Sequence, residues 1–131
     1  MKKLLILILT IQLIAFSCER EDVLDKEPNF SELNGEWNWT STCGGITGQC
    51  GYPSQGNTKT IQITESRFIE RNNGVTSLDT EYKLKNKLKE EFYTSYEIEL
   101  NNGQTWRMTS RQDTLNIEKG DFWDSYKRLT N

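Results

Sequence analysis

The chain contains no histidine. The one side chain whose unperturbed pKa sits near neutrality is thus missing, and acid/base or nucleophilic schemes built on imidazole lack their central part. Cysteines number three, and without histidine no structural zinc site is expected. There is no Gly-x-Ser-x-Gly nucleophile elbow, and no glycine-rich loop runs into the Lys-Ser/Thr of a phosphate-binding loop. Glu90 with Glu91, and Glu97 with Glu99, are carboxylate pairs in the pattern of a solvated face rather than of a tuned dyad. No catalytic role, metal or cofactor is expected.

A long apolar run is missing too. Residues 4–14 are apolar but broken by Thr10 and Gln12, and they fall short of the roughly 20 residues that span a bilayer. Preceded by Lys2 and Lys3 and followed by Ala15, Phe16 and Ser17, they have the make-up of an export signal. Ala15-Phe16-Ser17-Cys18 resembles the bacterial lipobox, whose cysteine is diacylglycerated, exposed by cleavage and acylated at its new amino terminus. That resemblance implies a signal peptide over residues 1–17 and lipidation at Cys18. Several acyl chains, at ~0.8 kcal/mol per buried methylene, hold such a protein to the membrane without spanning it. The expected location is the cell envelope, as an outer-membrane lipoprotein.

Nor is there an excess of positive charge. Removing residues 1–17 takes away two lysines and no acid, so 16 − 2 = 14 basic residues face 19 acidic ones, a net charge of −5. This disfavours nucleic acid, and it leaves no basic patch for docking on a membrane. Glu19, Glu21 and Asp22 resemble the acidic export tag that carries some lipoproteins to the cell surface, and a solvated tether explains them equally well. Residues 18–30, acidic and with Pro28, read as a flexible linker, leaving one folded domain over residues 31–131. With Cys18 taken by lipid, Cys43 and Cys50 form a pair in an oxidising space, a closure worth roughly 2.5 kcal/mol on the chain-entropy model.

What the folded part does contain is period-two alternation. Residues 36–42 set Trp37, Trp39 and Ser41 against Glu36, Asn38 and Thr40, the pattern of a half-buried strand. Further strands are expected at 58–64, with Ile61 and Ile63 inward, and at 67–71, ended by Asn72-Asn73-Gly74. Leu78, Thr80, Tyr82 and Leu84 alternate with charged residues as a fourth. Leu84, Leu88, Phe92 and Tyr96 are also spaced by four, so a helix over 84–96 competes. The β-favouring run 92–96 argues instead for a turn near Asn86 and a strand from about Phe92 to Leu100. Asn101-Asn102-Gly103 then leads to 105–110, with Trp106 and Met108 inward. Two more strands follow, 114–118 with Leu115 and Ile117 inward, and a last one through Trp123, Tyr126, Lys127 and Arg128. Short strands joined by turns predict an all-β, eight-stranded antiparallel up-and-down barrel, whose closure removes exposed edges.

Asn34-Gly35-Glu36-Trp37 fits the Gly-x-Trp signature that opens the first strand of lipocalins. Together with the lipobox, the acidic tether, the glycine-rich loop ending at Pro53, Asp113-Thr114-Leu115 and Tyr126-Lys127-Arg128, it resembles the small lipocalin-like lipoproteins of Bacteroidetes-type bacteria. The resemblance implies that Trp37 packs under Arg128 at the closed end of the barrel. The chain departs from true lipocalins in being shorter, in leaving no room for a C-terminal helix, and in carrying its disulfide within the first loop.

Two functions from different classes follow. One is a monomeric lipoprotein that binds a small apolar or amphipathic ligand at the barrel mouth, with Trp39, Ile46, Tyr52, Tyr96 and Trp106 as candidate contacts. The other is a filled barrel, packed by Trp39, Tyr82, Phe92, Tyr96 and Trp106, that binds or inhibits an envelope protein through the Cys43-Cys50 loop. The glycines of that loop have the backbone amides of an anion nest, but a stapled mouth loop accounts for them better. Asp113-Thr114-Leu115 matches a short bacterial O-glycosylation pattern and equally the start of a strand.

Overall fold

The structure, a computed structural model, describes residues 31–130. The expected signal peptide and the whole of the linker, Cys18 included, lie outside the described residues. Nine strands follow one another: β1 (Gly35–Gly44), β2 (Gln49–Gly51), β3 (Lys59–Ile63), β4 (Arg67–Asn72), β5 (Val75–Lys89), β6 (Thr94–Leu100), β7 (Thr105–Arg111), β8 (Thr114–Lys119) and β9 (Phe122–Arg128). Every pairing is antiparallel, and β1 pairs with β9. Eight of the strands, β1 and β3 to β9, therefore close an up-and-down barrel, and β2 is an extra strand folded back on the far half of β1. No described residue is helical.

The turns show why the chain reverses where it does. Between β4 and β5 only Asn73 and Gly74 stand outside the ladder, both with positive φ (52° and 78°). That is the twist a two-residue hairpin requires, and Asn and Gly adopt it most easily. Between β5 and β6 the outcome differs from expectation. No turn forms at Asn86: β5 continues to Lys89, and the reversal comes at residues 90–93, where the Glu90 N–H donates to the Tyr93 carbonyl at 2.9 Å. A register shift between Leu84 and Asn86 moves one residue out of the alternation. The four-residue spacing of Leu84, Leu88, Phe92 and Tyr96 is thus split across a bulge and a turn. Tyr96 points into the core, whereas Leu88 and Phe92 are exposed. Phe92 is not one of the residues that fill the barrel.

Inside, Leu33, Trp37, Ile61, Ile63, Tyr96, Ile98, Met108, Leu115 and Ile117 are buried in one cluster with Phe68 and Tyr126. One end is sealed where β1 begins and β9 ends. Trp37 pairs with Arg128 across the seam, and the guanidinium carbon sits 4.0 Å from the indole centroid. Arg128 Nη1 donates to the Asn34 carbonyl at 2.7 Å, and Nη2 to that of Glu32. Trp37 Nε1 donates to the Leu33 carbonyl at 3.0 Å, so the turn before β1 is pinned beneath the barrel with Leu33 as a plug. The glycine of Gly-x-Trp now has a cause. Gly35 has φ +138°, and a Cβ there would lie 2.8 Å from Arg128 Nη1.

Arg128→Ala is expected to cost about 2 kcal/mol, the sum of a buried cation–π contact and charged hydrogen bonds less what water returns. Gly35→Ala should cost about 1 kcal/mol or more, since it meets both an unfavourable φ and the guanidinium. Urea unfolding checks both, as a lowered midpoint with an unchanged slope; a midpoint that stays put in Arg128→Ala would show the seam contact to be without weight.

Candidate functional site

The opposite end of the barrel carries charge on its inner face. β1 changes register between Trp39 and Ser41, a bulge that turns Thr42 inward and Cys43 outward. Thr42 Oγ1 accepts from Trp39 Nε1 at 3.0 Å and donates to Asp124 Oδ1. Asp124 Oδ2 receives Lys59 Nζ at 3.1 Å, Lys119 Nζ at 3.2 Å and the Tyr126 hydroxyl at 3.2 Å. Lys119 also reaches Glu70 Oε2 at 2.8 Å. Two cations thus meet two anions inside the wall, drawn from β3, β4, β8 and β9.

Aromatic rings frame this network. Lys59 lies 5.2 Å from the Trp39 ring centroid and Lys119 4.7 Å from that of Trp106, while Phe68 meets Trp106 edge-on at 5.4 Å. Burial alone would raise the pKa of Asp124. The Thr42 hydroxyl and the charges of Lys119 and Lys59 outweigh it and hold the carboxyl below the usual range. Tyr126, buried beside the same carboxylate, is pushed far above the usual phenol range, first by burial and then by the charges of Asp124 and Glu70. Neither group is set for proton transfer near neutral pH.

None of these charged residues stood out in the sequence, although the alternation marks them. Lys59 stands two before Ile61, Glu70 two after Phe68, Lys119 two after Ile117 and Asp124 two before Tyr126. Each is an inward position toward the same end of the barrel. A charge at a strand end reads as solvent-facing until the register shows four of them converging.

The expected ligand contacts separate into three places. Trp39 and Trp106, each 8% exposed, flank the ionic network. Tyr96 lies at the sealed end, where its hydroxyl donates to Glu32 Oε2 at 2.7 Å. Burial, then that hydrogen bond, pushes its pKa well above the phenol range, and the same bond leads the causes that lower the pKa of Glu32. Ile46 and Tyr52 stand outside the barrel, fully and 64% exposed, on the β1–β2 hairpin and the chain after it. Cys43 and Cys50 are joined by a disulfide, as the cysteine count predicts. The hairpin is held from a second side as well, because the Gly45 N–H donates to the Asp121 carbonyl at 3.1 Å. Gly44 is what allows the approach: its φ is +134°, and a Cβ there would fall 2.3 Å from that carbonyl oxygen.

An open groove of about 430 Å³ runs over β5 to β8 on the outer surface, lined by Leu88, Tyr93, Ser95, Glu97, Arg107 and Thr109. These are outward positions of the strands, so the groove does not lead into the barrel. Thr114, in the Asp-Thr-Leu motif, is exposed at the first position of β8.

Asp124→Asn leaves Lys59 and Lys119 facing each other with one anion fewer, and should cost about 3 kcal/mol at neutral pH. The folded-state pKa of Asp124 lies below the unfolded one. Its contribution is therefore complete above the unfolded value near 3.9 and is lost as the pH falls through the lower, folded-state value. Chemical unfolding between about pH 2 and 7 should accordingly show a shallower acid limb in Asp124→Asn than in the wild type. Parallel acid limbs would mean that Asp124 is not the titrating strut.

The chain matches no protein-family model, no curated protein and no solved structure, so its description as a closed eight-stranded barrel with one added strand rests on the strand register itself.

Proposed function

We propose that the protein is a lipocalin-like lipoprotein of the cell envelope, anchored through Cys18, that works by binding rather than by catalysis. Its binding surface is the end of the barrel that carries the β1–β2 hairpin. One observation carries this: a hairpin stapled by Cys43–Cys50 and bonded to the β8–β9 turn presents Ile46 wholly to solvent, beside Tyr52, Phe122 and Trp123 at 64%, 52% and 43% exposure. Exposed apolar side chains on a rigid loop are the usual make-up of a recognition surface. The interior offers less, since its charged groups bond to one another and its closed end is plugged. This favours a filled scaffold that engages its partner from outside.

A second reading keeps the partner small. Two lysines lying over Trp39 and Trp106 resemble the floor of a site for an amphipathic molecule with an anionic group. Such a ligand would have to displace Asp124 or Glu70, which makes this the weaker of the two.

Ile46→Asp should weaken retention of the partner from envelope extracts by about tenfold, the size of a hot-spot loss, with unfolding unchanged. Deletion of residues 44–49 should abolish it, and equal retention by all three proteins would remove the hairpin from the binding surface. For the anchor, Cys18→Ala should abolish labelling by radioactive palmitate in cells and release the protein from the membrane fraction; retained label would place the lipid elsewhere.

A further inference from the structure

The hairpin end has a chemical character of its own. Residues 40–58 contain no Asp, Glu, Lys or Arg, in a chain of which 27% is charged. From Gly45 to Thr58 every residue is exposed. This uncharged surface offers the amides of Gln49, Gln55 and Asn57 and the hydroxyls of Thr47 and Ser54. It also carries aromatic rings. Trp123 pairs with Cys43, which pairs in turn with Cys50, so β9, β1 and β2 place the indole and the disulfide side by side on the outer face. Tyr52 follows two residues after Cys50, and the Phe122 ring lies close beside Gly45.

Each class of partner asks for a different surface. Nucleic acid and acidic polysaccharides need lysine or arginine, which this stretch lacks. A lipid surface needs a continuous apolar face with basic residues at its border, but here Gly, Gln, Ser and Thr separate the rings. A protein interface also has a charge-poor aromatic core, but polar and charged groups at its rim set the register, and no charged residue stands between Gly45 and Thr58. The charges that border the surface are of both signs, acidic at Glu118 and Asp121 and basic at Lys59 and Lys119, and Glu118, Lys59 and Lys119 are held in ion pairs with Arg107, Asp124 and Glu70. What remains is an uncharged polymer rich in hydroxyls. Its C–H faces stack on exposed rings, and its hydroxyls exchange hydrogen bonds with amides, which both donate and accept, and with carboxylates, which accept.

We infer that the hairpin end binds a neutral carbohydrate, with Trp123 and Tyr52 as stacking platforms beside the Cys43–Cys50 disulfide. This rests on the reading of that end as the binding surface and names the chemistry of its partner. The disulfide makes the platform rigid, so little ordering is needed when a sugar chain arrives.

Native gel electrophoresis through matrices containing laminarin, galactomannan or xyloglucan tests it, with dextran sulfate and polygalacturonate as charged controls. At least one neutral polysaccharide is expected to retard the full-length mature protein. Trp123→Ala and Tyr52→Ala should each weaken that retardation about tenfold with unchanged thermal unfolding, and Trp123→Phe should retain most of it. Retardation by none of the neutral polymers, equal retardation of Trp123→Ala, or equal retardation by the charged polymers would overturn the inference. Retention of an envelope protein that Ile46→Asp weakens, without any polysaccharide binding, would overturn the carbohydrate while leaving the hairpin as the binding surface.

Discussion

Closure between β1 and β9 is the constraint on which the structure depends. Seven antiparallel ladders follow from hairpins between sequence neighbours, but this one joins the two ends of the domain and has no turn to help it. An unclosed sheet would leave two long edges open to other chains. β9 answers at both of its ends. Arg128 ties it to Trp37 and to the carbonyls before β1, and Asp124 ties it through Thr42 to β1 and through lysines to β3 and β8. The seam is thus fastened by a cation over an indole at one end and by an ionic network at the other.

These two fastenings divide the interior. The sealed end is apolar and plugged by Leu33, so its burial drives folding without directing it. The other end places two cations and two anions where apolar groups would be simpler. Buried ionic groups add less stability than well-packed apolar ones and penalise every register but one. In a barrel whose strands all look alike, that penalty has a use: a one-residue slip in β3, β4, β8 or β9 would separate the partners.

Much of the fold was legible in the sequence, because a barrel with one face buried writes itself as alternation. Ile61 with Ile63, Trp106 with Met108, and Leu115 with Ile117 all point inward as their spacing requires. The reading failed where the alternation slips. The bulge after Leu84 and the reversal at 90–93 turned a strand into an apparent four-residue repeat, and the bulge after Trp39 hid that Thr42 faces the interior. The candidate site was legible only in part. Cys43 and Cys50 announced the staple, but Tyr96 was placed with Trp39 and Trp106 although the shear of the barrel carries it to the sealed end. The ionic network was missed because partners 65 residues apart, as Lys59 and Asp124 are, cannot be matched before the register is known.

The plug formed by Leu33 has a consequence for orientation. The described chain enters the barrel at the sealed end, beneath Trp37 and Arg128, whereas the hairpin rises from the other. With an anchor at Cys18, the residues from 18 to 31 can reach no further than about 45 Å from the lipid surface. The tether would then join the barrel at its sealed end. The uncharged hairpin would lie at the end of the barrel opposite that attachment, clear of the tether.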